Sequence, residues 1–307
     1  MKGWHKFPGL NRAGRWRLLG LALVLLCLCG CAAQPGSGGI EGTPWEKAQE
    51  DPSELLKQAK ATQSLGKINE ALFYYASYLE HDPQNAEVLA AVGEIHLAKK
   101  NLDLAQVALD MSLAADPKLA KTHELEGLLL IQRNEYAGAR AHFEKAVDLD
   151  PKLWRAQNGL GMIADREGRF DAADKAYNAA LNVSPRNTQV MNNLGYSRYL
   201  RGDFLGALSE VDQLLRLAPK YESAVLNRGL YLLRLGQEEE ALADLKLVLS
   251  EADAYNNLGF LLMRDGQLEK ARSYFEKAIA HSPHYHDLAN KNLQNLARLE
   301  ASQVSKP

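Results

Sequence analysis

The chain keeps a register of 34 residues over most of its length. Alanines fall at Ala71, Ala105, Ala139, Ala173, Ala207 and Ala241, each 34 positions from the last, and Ala271 follows after 30. Pro83, Pro117, Pro151, Pro185 and Pro219 take the same step, and Pro283 closes one full and one shortened step beyond. Gly93, Gly127, Gly161, Gly195, Gly229 and Gly259 run in phase with both. Three residue types held in step over some 200 positions exclude a single irregular core. The chain must be one small unit repeated. Such a unit is too small to bury its own apolar face, so copies stack and share a continuous core.

The details of each copy resemble the tetratricopeptide repeat. One copy reads Asn193-Leu194-Gly195, then Gly202-Asp203-Phe204, Ala207 and Pro219. The copy before it reads Leu160-Gly161, Gly168-Arg169-Phe170, Ala173, Tyr177, Ala180 and Pro185. By that resemblance the body, residues 46–301, is all-α: a right-handed superhelix, or α-solenoid, of about seven helical hairpins. Repeats begin near Pro52, Ala86, Ala120, Trp154, Thr188, Glu222 and Ala252, and residues 286–301 form a C-terminal capping helix. In the cap, Leu288, Leu293, Leu296 and Leu299 are expected to face inward, and residues 302–307 to form a frayed tail.

The residue types have physical reasons in such a hairpin. Small residues at the eighth and twentieth positions let two helix backbones approach. Phe143, Tyr177 and Phe275 fill the space beside them. Gly66, Gly168, Gly202, Gly236 and Gly266 stand between the helices, where a left-handed cap is needed, and Asn134 serves that purpose in repeat three. The prolines end each second helix, because the residue before proline avoids the helical region. Two departures stand out. Glu126 and Arg228 take the seventh position, where the pattern expects leucine. Repeat six lacks its proline and is four residues short, about one helical turn, which predicts a tighter junction with repeat seven and a local change of pitch.

Ahead of the repeats lies a different kind of segment. Lys2, Lys6, Arg12, Arg15 and Arg17 stand there without any acidic residue, followed by an apolar run from Leu18 to Leu28. A basic head and an apolar stretch of about ten residues read as a secretory leader, too short to span a bilayer comfortably. It ends in Leu28-Cys29-Gly30-Cys31, which resembles a bacterial lipobox. The resemblance implies cleavage after residue 30, lipidation of Cys31 with diacylglycerol and acyl chains such as palmitate, and a flexible Gly-, Ser- and Pro-containing tether over residues 31–45. Ala32 after the cysteine, in place of Asp, implies the periplasmic face of the outer membrane. The three cysteines all lie here, so the body holds no disulfide and is stabilised by packing. Loss of five basic residues with the leader leaves a chain more acidic than its overall charge of −2. That excludes an electrostatic footprint for nucleic acid and leaves the acyl group as the membrane attachment.

Catalytic patterns are missing. The sequence has no His-Glu-x-x-His, no phosphate loop and no Gly-x-Ser-x-Gly elbow. His96 and His123 fall on repeat helices and read as structural. His281, His284, His286 and Asp287 cluster near the cap without a fixed geometry. Neither a metal site nor a cofactor is expected, and the activity expected is binding, not catalysis. By the family resemblance, first helices line a groove. Asn158, Asn192 and Asn256 hold the fifth position of their repeats, and Asn193, Asn227 and Asn257 the sixth. A ladder of amides can hydrogen-bond an extended partner's backbone without reading its side chains. The N-terminal half of the groove is charged, with Glu87, Glu94, Glu124 and Lys121. The C-terminal half offers Tyr196, Tyr199, Leu200, Leu226, Leu230, Leu233, Phe260 and Met263 edged by Arg234 and Arg264, the composition of an interface hot spot.

The runs Met191-Asn192-Asn193-Leu194-Gly195-Tyr196-Ser197 and Gly168-Arg169-Phe170-Asp171-Ala172-Ala173 are similar to the TadD lipoproteins of the tight-adherence, or Flp pilus, secretion apparatus. That likeness implies a pilotin-like role: capture of a secretin or pilus component in the groove while the lipid holds the complex at the outer membrane. A scaffold for peptidoglycan hydrolases or for outer-membrane protein assembly has the same architecture and is the alternative.

Overall fold

The computed structural model describes residues 51–282 and 286–304, with side chains through Ala301. The expected leader, Cys31, the expected tether, Trp45, Pro283, His284 and the final residues lie outside the described residues. Among the described residues the secondary structure is helical throughout. Seven antiparallel pairs follow one another: α1 (Pro52–Ser64) with α2 (Ile68–His81), α3 (Ala86–Ala98) with α4 (Leu102–Ala115), α5 (Ala120–Gln132) with α6 (Tyr136–Leu149), α7 (Trp154–Arg166) with α8 (Phe170–Val183), α9 (Thr188–Arg201) with α10 (Phe204–Leu217), α11 (Glu222–Arg234) with α12 (Glu238–Val248), and α13 (Glu251–Arg264) with α14 (Leu268–Ala280). A single helix, α15 (Asp287–Val304), closes the chain. The fold is all-α and solenoid-like, and the chain divides into two compact units between Ala156 and Gln157.

The turn inside each pair is set by one residue of positive φ. Gly66, Gly168, Gly202, Gly236 and Gly266 provide it at φ between 69° and 90°. Asn134 does so at 62°, as its short polar side chain allows, and Lys100 at 60°. Lysine carries a Cβ and has no such compensation. The pattern of glycines gave no signal for it; the helix end closes there through the backbone N–H groups of Lys100 and Asn101, which donate to the carbonyls of Leu97 at 3.0 Å and His96 at 2.9 Å. Between pairs, Asn85 accepts a hydrogen bond from the backbone N–H of Val88, and Asn187 from that of Val190, so each restarts a helix as a side-chain N-cap.

Each unit builds its core from the small and large positions of the register. In the unit ending at Ala156, Ala59, Ala71, Tyr75, Leu79, Leu89 and Val92 form one cluster, and Ala105, Leu109, Leu125 and Leu129 another. Helices α5 and α6 touch most closely at Gly127, where an added Cβ would stand 2.4 Å from the ring of fully buried Phe143. In the unit beginning at Gln157, Leu232, Leu245, Leu258, Leu262, Phe275 and Leu296 form the core. There the corresponding position of the α9–α10 pair is looser: a Cβ on Gly195 would meet its nearest neighbour, Glu210, at 3.5 Å.

Repeat six is shortened in two places, and α13 begins one residue before the repeat start at Ala252. Helix α12 has 11 residues where α10 has 14, and only Leu249 and Ser250 separate it from α13. Ser250 replaces the proline turn with a side-chain cap, its Oγ accepting from the backbone N–H of Asp253 at 3.1 Å. Lys246 then reaches over the short junction to Glu251 at 2.6 Å.

The terminal helix corrects one sequence expectation. Ala289 and Leu296 are fully buried and Leu293 packs on the same core, but Leu288 and Leu299 are 58% and 44% exposed. An 11-residue separation places those two on one helical face, three turns apart, about a quarter of a turn around the helix from the buried one.

Of the two unusual seventh positions, Glu126 is buried and Arg228 half-buried, and each finds polar partners. Glu126 is 3% exposed, and its two carboxylate oxygens receive Nε2 of Gln106 at 3.1 and 3.3 Å. Burial, and then nearby Asp110, pushes its pKa up to about 7. Arg228 instead donates to two carboxylates, through Nε to Asp212 at 2.6 Å and through Nη1 to Asp244.

Candidate functional site

The first helices of the two units solve the same geometric problem with different chemistry. In the first unit, Glu94 on α3, Lys121 and Glu124 on α5, and Arg155 at the start of α7 form one charged network. Lys121 Nζ lies 3.2 Å from Glu94 and 2.9 Å from Glu124, and Arg155 lies 2.7 Å and 3.4 Å from the same two carboxylates. Glu124 is 2% exposed. Burial opposes the charge on Glu94, but Lys121 and Arg155 outweigh it and hold the carboxyl below the ordinary range. Glu87 is exposed at the start of α3. Sequence reading identified three of these groups and missed Arg155, which the register places at the second position of the next repeat, equivalent to Lys121. Two negative and two positive charges neutralise one another there.

In the second unit, asparagines link consecutive first helices. Asn193 Nδ2 donates to Asn158 Oδ1 at 2.9 Å, Asn227 Nδ2 to Asn192 Oδ1 at 3.0 Å, and Asn292 Nδ2, on the terminal helix, to Asn256 Oδ1 at 3.0 Å. Asn158 and Asn256 are buried, and Asn192, Asn193 and Asn227 half-buried. Asn257 donates instead to the backbone carbonyl of Asp253 on its own helix, at 2.9 Å. These amides therefore spend one donor and one acceptor per pair on holding neighbouring repeats in register. An unlinked buried amide would lose stability on the order of 1–3 kcal/mol, which makes the pairs a structural seam running under the surface of the first helices.

On that seam stands an aromatic stack. Tyr196 and Tyr199, one turn apart on α9, are stacked with centroids 5.8 Å apart, and Tyr199 stacks in turn on Tyr231 of α11 at 5.3 Å. Phe204 tilts against the same ring at 5.6 Å. Tyr231 is fully buried, and its hydroxyl makes no hydrogen bond. Burial, with Tyr196 and Tyr199 nearby, raises its pKa. Arg234 caps the stack: its Nε donates to the Tyr199 hydroxyl at 3.1 Å, its guanidinium lies 5.8 Å from that ring's centroid, and it pairs with Asp265 at the end of α13. Tyr196 and Leu200 on α9 and Phe260 on α13 are each about two-fifths exposed (38%, 40% and 40%). Arg264 is exposed and Met263 half-buried against the core. Leu226 and Leu230 are half-buried, whereas Leu233, 6% exposed, belongs to the interior and offers nothing to a partner.

The structure thus gathers Tyr196, Tyr199 and Arg234, and adds Tyr231 and Phe204, which sequence reading missed. Tyr231 falls three residues before Arg234 on the same helix, a spacing that puts both on one face. Behind the stack, Asp165 accepts from the Tyr177 hydroxyl at 2.8 Å and from Ser197 at 2.5 Å, and fixes α9 to its neighbours. Burial first, then Asp174, raises Asp165 above its usual value against those two hydrogen bonds.

Among the described residues, no group of three or more His, Cys, Asp or Glu side chains is arranged to hold a metal ion, and no helix is long and apolar enough to cross a membrane.

Three tetratricopeptide-repeat family models match the chain, over residues 64–128, over 125–189, 164–222 and 192–252, and over 252–285. No curated protein sequence is significantly similar. Among solved structures, a tetratricopeptide repeat protein from Parabacteroides merdae superposes with a TM-score of 0.56 at 18% identity, over 80% of this chain and 98% of that one. PilF of Pseudomonas aeruginosa gives 0.54 at 20% identity, over 68% and 96% of the two chains. PilW, described as a widely conserved type IV pilus biogenesis factor, gives 0.52 at 20% identity, over 79% and 98%. At such identities the likeness speaks for the fold. The models join into one stretch from residue 64 to 285, well over half of the chain, and the chain belongs to the tetratricopeptide repeat family.

Proposed function

We propose that the protein is a lipid-anchored binding scaffold of a bacterial envelope. It captures a segment of a partner protein on the first-helix face of its second unit, in the assembly of a Flp or type IV-like pilus or secretion apparatus. The observation that carries this reading is the stack of Tyr196, Tyr199 and Tyr231 capped by Arg234. Its base, Tyr231, is buried, and Tyr196 and Leu200 on α9 are partly exposed, as is Phe260 further along on α13. Rigid aromatic anchors rimmed by arginine lose little side-chain entropy on binding and bury much apolar area. The charged network of the first unit is satisfied within itself and gains little from a ligand.

The anchor rests on the lipobox-like Leu28-Cys29-Gly30-Cys31 and the tether that follows. Two or three acyl chains, each CH2 worth about 0.8 kcal/mol on burial, hold a protein stably at a bilayer. The place in a pilus system rests on the sequence likeness to TadD lipoproteins and on sharing a fold with PilF and PilW. In the host cell, labelled palmitate should enter the protein and be lost in Cys31→Ser. Affinity purification from the envelope should recover a secretin or pilus subunit. Recovery of wall hydrolases in place of these would support the alternative scaffold role, and an unlabelled protein in the soluble periplasm would refute the anchor.

A further inference from the structure

His123 on α5 is 5% exposed, and its Nε2 lies 3.1 Å from the backbone carbonyl oxygen of Pro117. A carbonyl oxygen only accepts, so Nε2 carries the proton and Nδ1 of the neutral ring is a bare lone pair. That lone pair faces Nδ1 of half-buried His142, on α6, at 3.2 Å, with ring centroids 5.2 Å apart and planes inclined at 47°. Two occupants suit a gap between two nitrogens at this distance. One is a proton, donated by Nδ1 of His142. The other is a metal ion that takes a lone pair from each ring. Tetrahedral metal–nitrogen bonds of about 2.0–2.1 Å put neighbouring ligand nitrogens about 3.3 Å apart, and the observed spacing matches. The Pro117 carbonyl also supplies the outer acceptor that orients a ligating histidine and fixes its tautomer.

The surroundings keep both rings in the neutral form that binds metal. Burial, then Lys145, holds His123 low against the bond to Pro117, and burial, then His123 and Lys145, does the same for His142. Asp110 on α4 acts on His142 in the opposite direction. We propose that His123 and His142 form a binding site for a zinc-like divalent transition-metal ion, held through both Nδ1 atoms with water in its remaining positions. The protein supplies two ligands, so the affinity is below that of a four-ligand structural zinc site. The bound ion ties α5 to α6 and stabilises the first unit by mass action.

Isothermal titration of the full chain with Zn2+ at pH 7.5 tests this. One ion per chain should bind and raise Tm. His142→Ala should weaken binding at least tenfold and abolish the rise, while His281→Ala with His286→Ala should leave both unchanged. Lowering the pH to 5.5 should weaken binding in the wild type, as protons compete for the ring nitrogens. His123 is buried and its replacement could prevent folding, so nitrogen-detected NMR of the wild-type rings gives an independent readout: Zn2+ should shift Nδ1 of both histidines. Unchanged Nδ1 signals, no Zn2+ binding, or binding that survives His142→Ala would overturn the proposal and leave a histidine–histidine hydrogen bond.

Discussion

The fifth position of the repeat holds Glu124 in the first unit and Asn158, Asn192 and Asn256 in the second. In the first unit the buried carboxylate recruits Lys121 and Arg155, and Glu94 completes a set of charges that satisfy one another. In the second, neutral amides pair across adjacent helices and leave the surface above them to tyrosine, leucine and phenylalanine. The same repeat thus carries a self-neutralised polar face in one unit and an apolar, aromatic face in the other. The choice made at a single register position decides what the neighbouring positions are free to do. A buried charge commandeers its neighbours, because leaving it unpaired costs several kcal/mol. An amide is satisfied by one partner like itself.

The largest expected break concerns capture. Tyr196→Ala combined with Phe260→Ala removes two partly exposed rings and should reduce partner recovery by tenfold or more, with helical circular dichroism unchanged. Glu87→Ala in the first unit should leave recovery as it was. Tyr199 is a poor choice for this test, because it lies between Tyr196 and buried Tyr231 and its loss would disturb the core.

Packing gives the next contrast. A methyl at Gly127 collides with Phe143, so Gly127→Ala should destabilise the first unit by about 1–3 kcal/mol. A methyl at Gly195 meets only ordinary contacts, so Gly195→Ala should stabilise the second unit by about 0.5–1 kcal/mol through helix propensity. Urea unfolding followed separately in each unit checks the opposite signs.

Protonation separates the units further. The Glu126 carboxyl sits at about 7 in the folded chain, above its ordinary value. A raised pKa means that the native state holds a proton the unfolded state has released. Its contribution is complete below the ordinary carboxylate range and is lost as pH rises through 7. Glu126→Gln should therefore flatten the fall in stability of the first unit between about pH 5 and 8, a change on the order of 2 kcal/mol. Denaturation midpoints across that range decide it, and a slope unchanged in the variant would contradict the assignment.

The smallest difference lies in the two seams themselves. Glu124→Gln should lose stability that 0.5 M salt partly masks in the wild type, since its cationic partners are about one-third exposed. Asn227→Ala should cost about 1 kcal/mol with no salt dependence. Equal salt sensitivity of the two would mean that the seams do not differ in kind.

Much of this fold was legible in the chain because the register is a property of the sequence alone. The alanine, glycine and proline positions gave the helix pairs, the glycines and Asn134 gave the turns, and the tyrosines and Arg234 marked the exposed face. Lys100 escaped notice, since neither glycine nor asparagine marks its positive φ. Leu288 and Leu299 were misassigned because a capping helix follows the core it covers, and hydrophobicity alone does not reveal which of its faces is covered. The asparagine seam was visible as residues but not as bonds: the pairing joins positions 35 or 36 residues apart, and its direction depends on how successive helices are offset. Arg155, Tyr231 and Phe204 were missed for the same reason, as each gains its role from a neighbour on another helix.

Site-specific photo-cross-linking in living cells puts the account to its most direct test. A photoreactive residue replaces Tyr196 in one strain and Glu87 in another, and adducts are identified by mass spectrometry. The account predicts a discrete adduct with a pilus or secretin component from position 196 and none from position 87. An adduct from position 87 alone, or none from 196 with the protein folded and at the membrane, would contradict it.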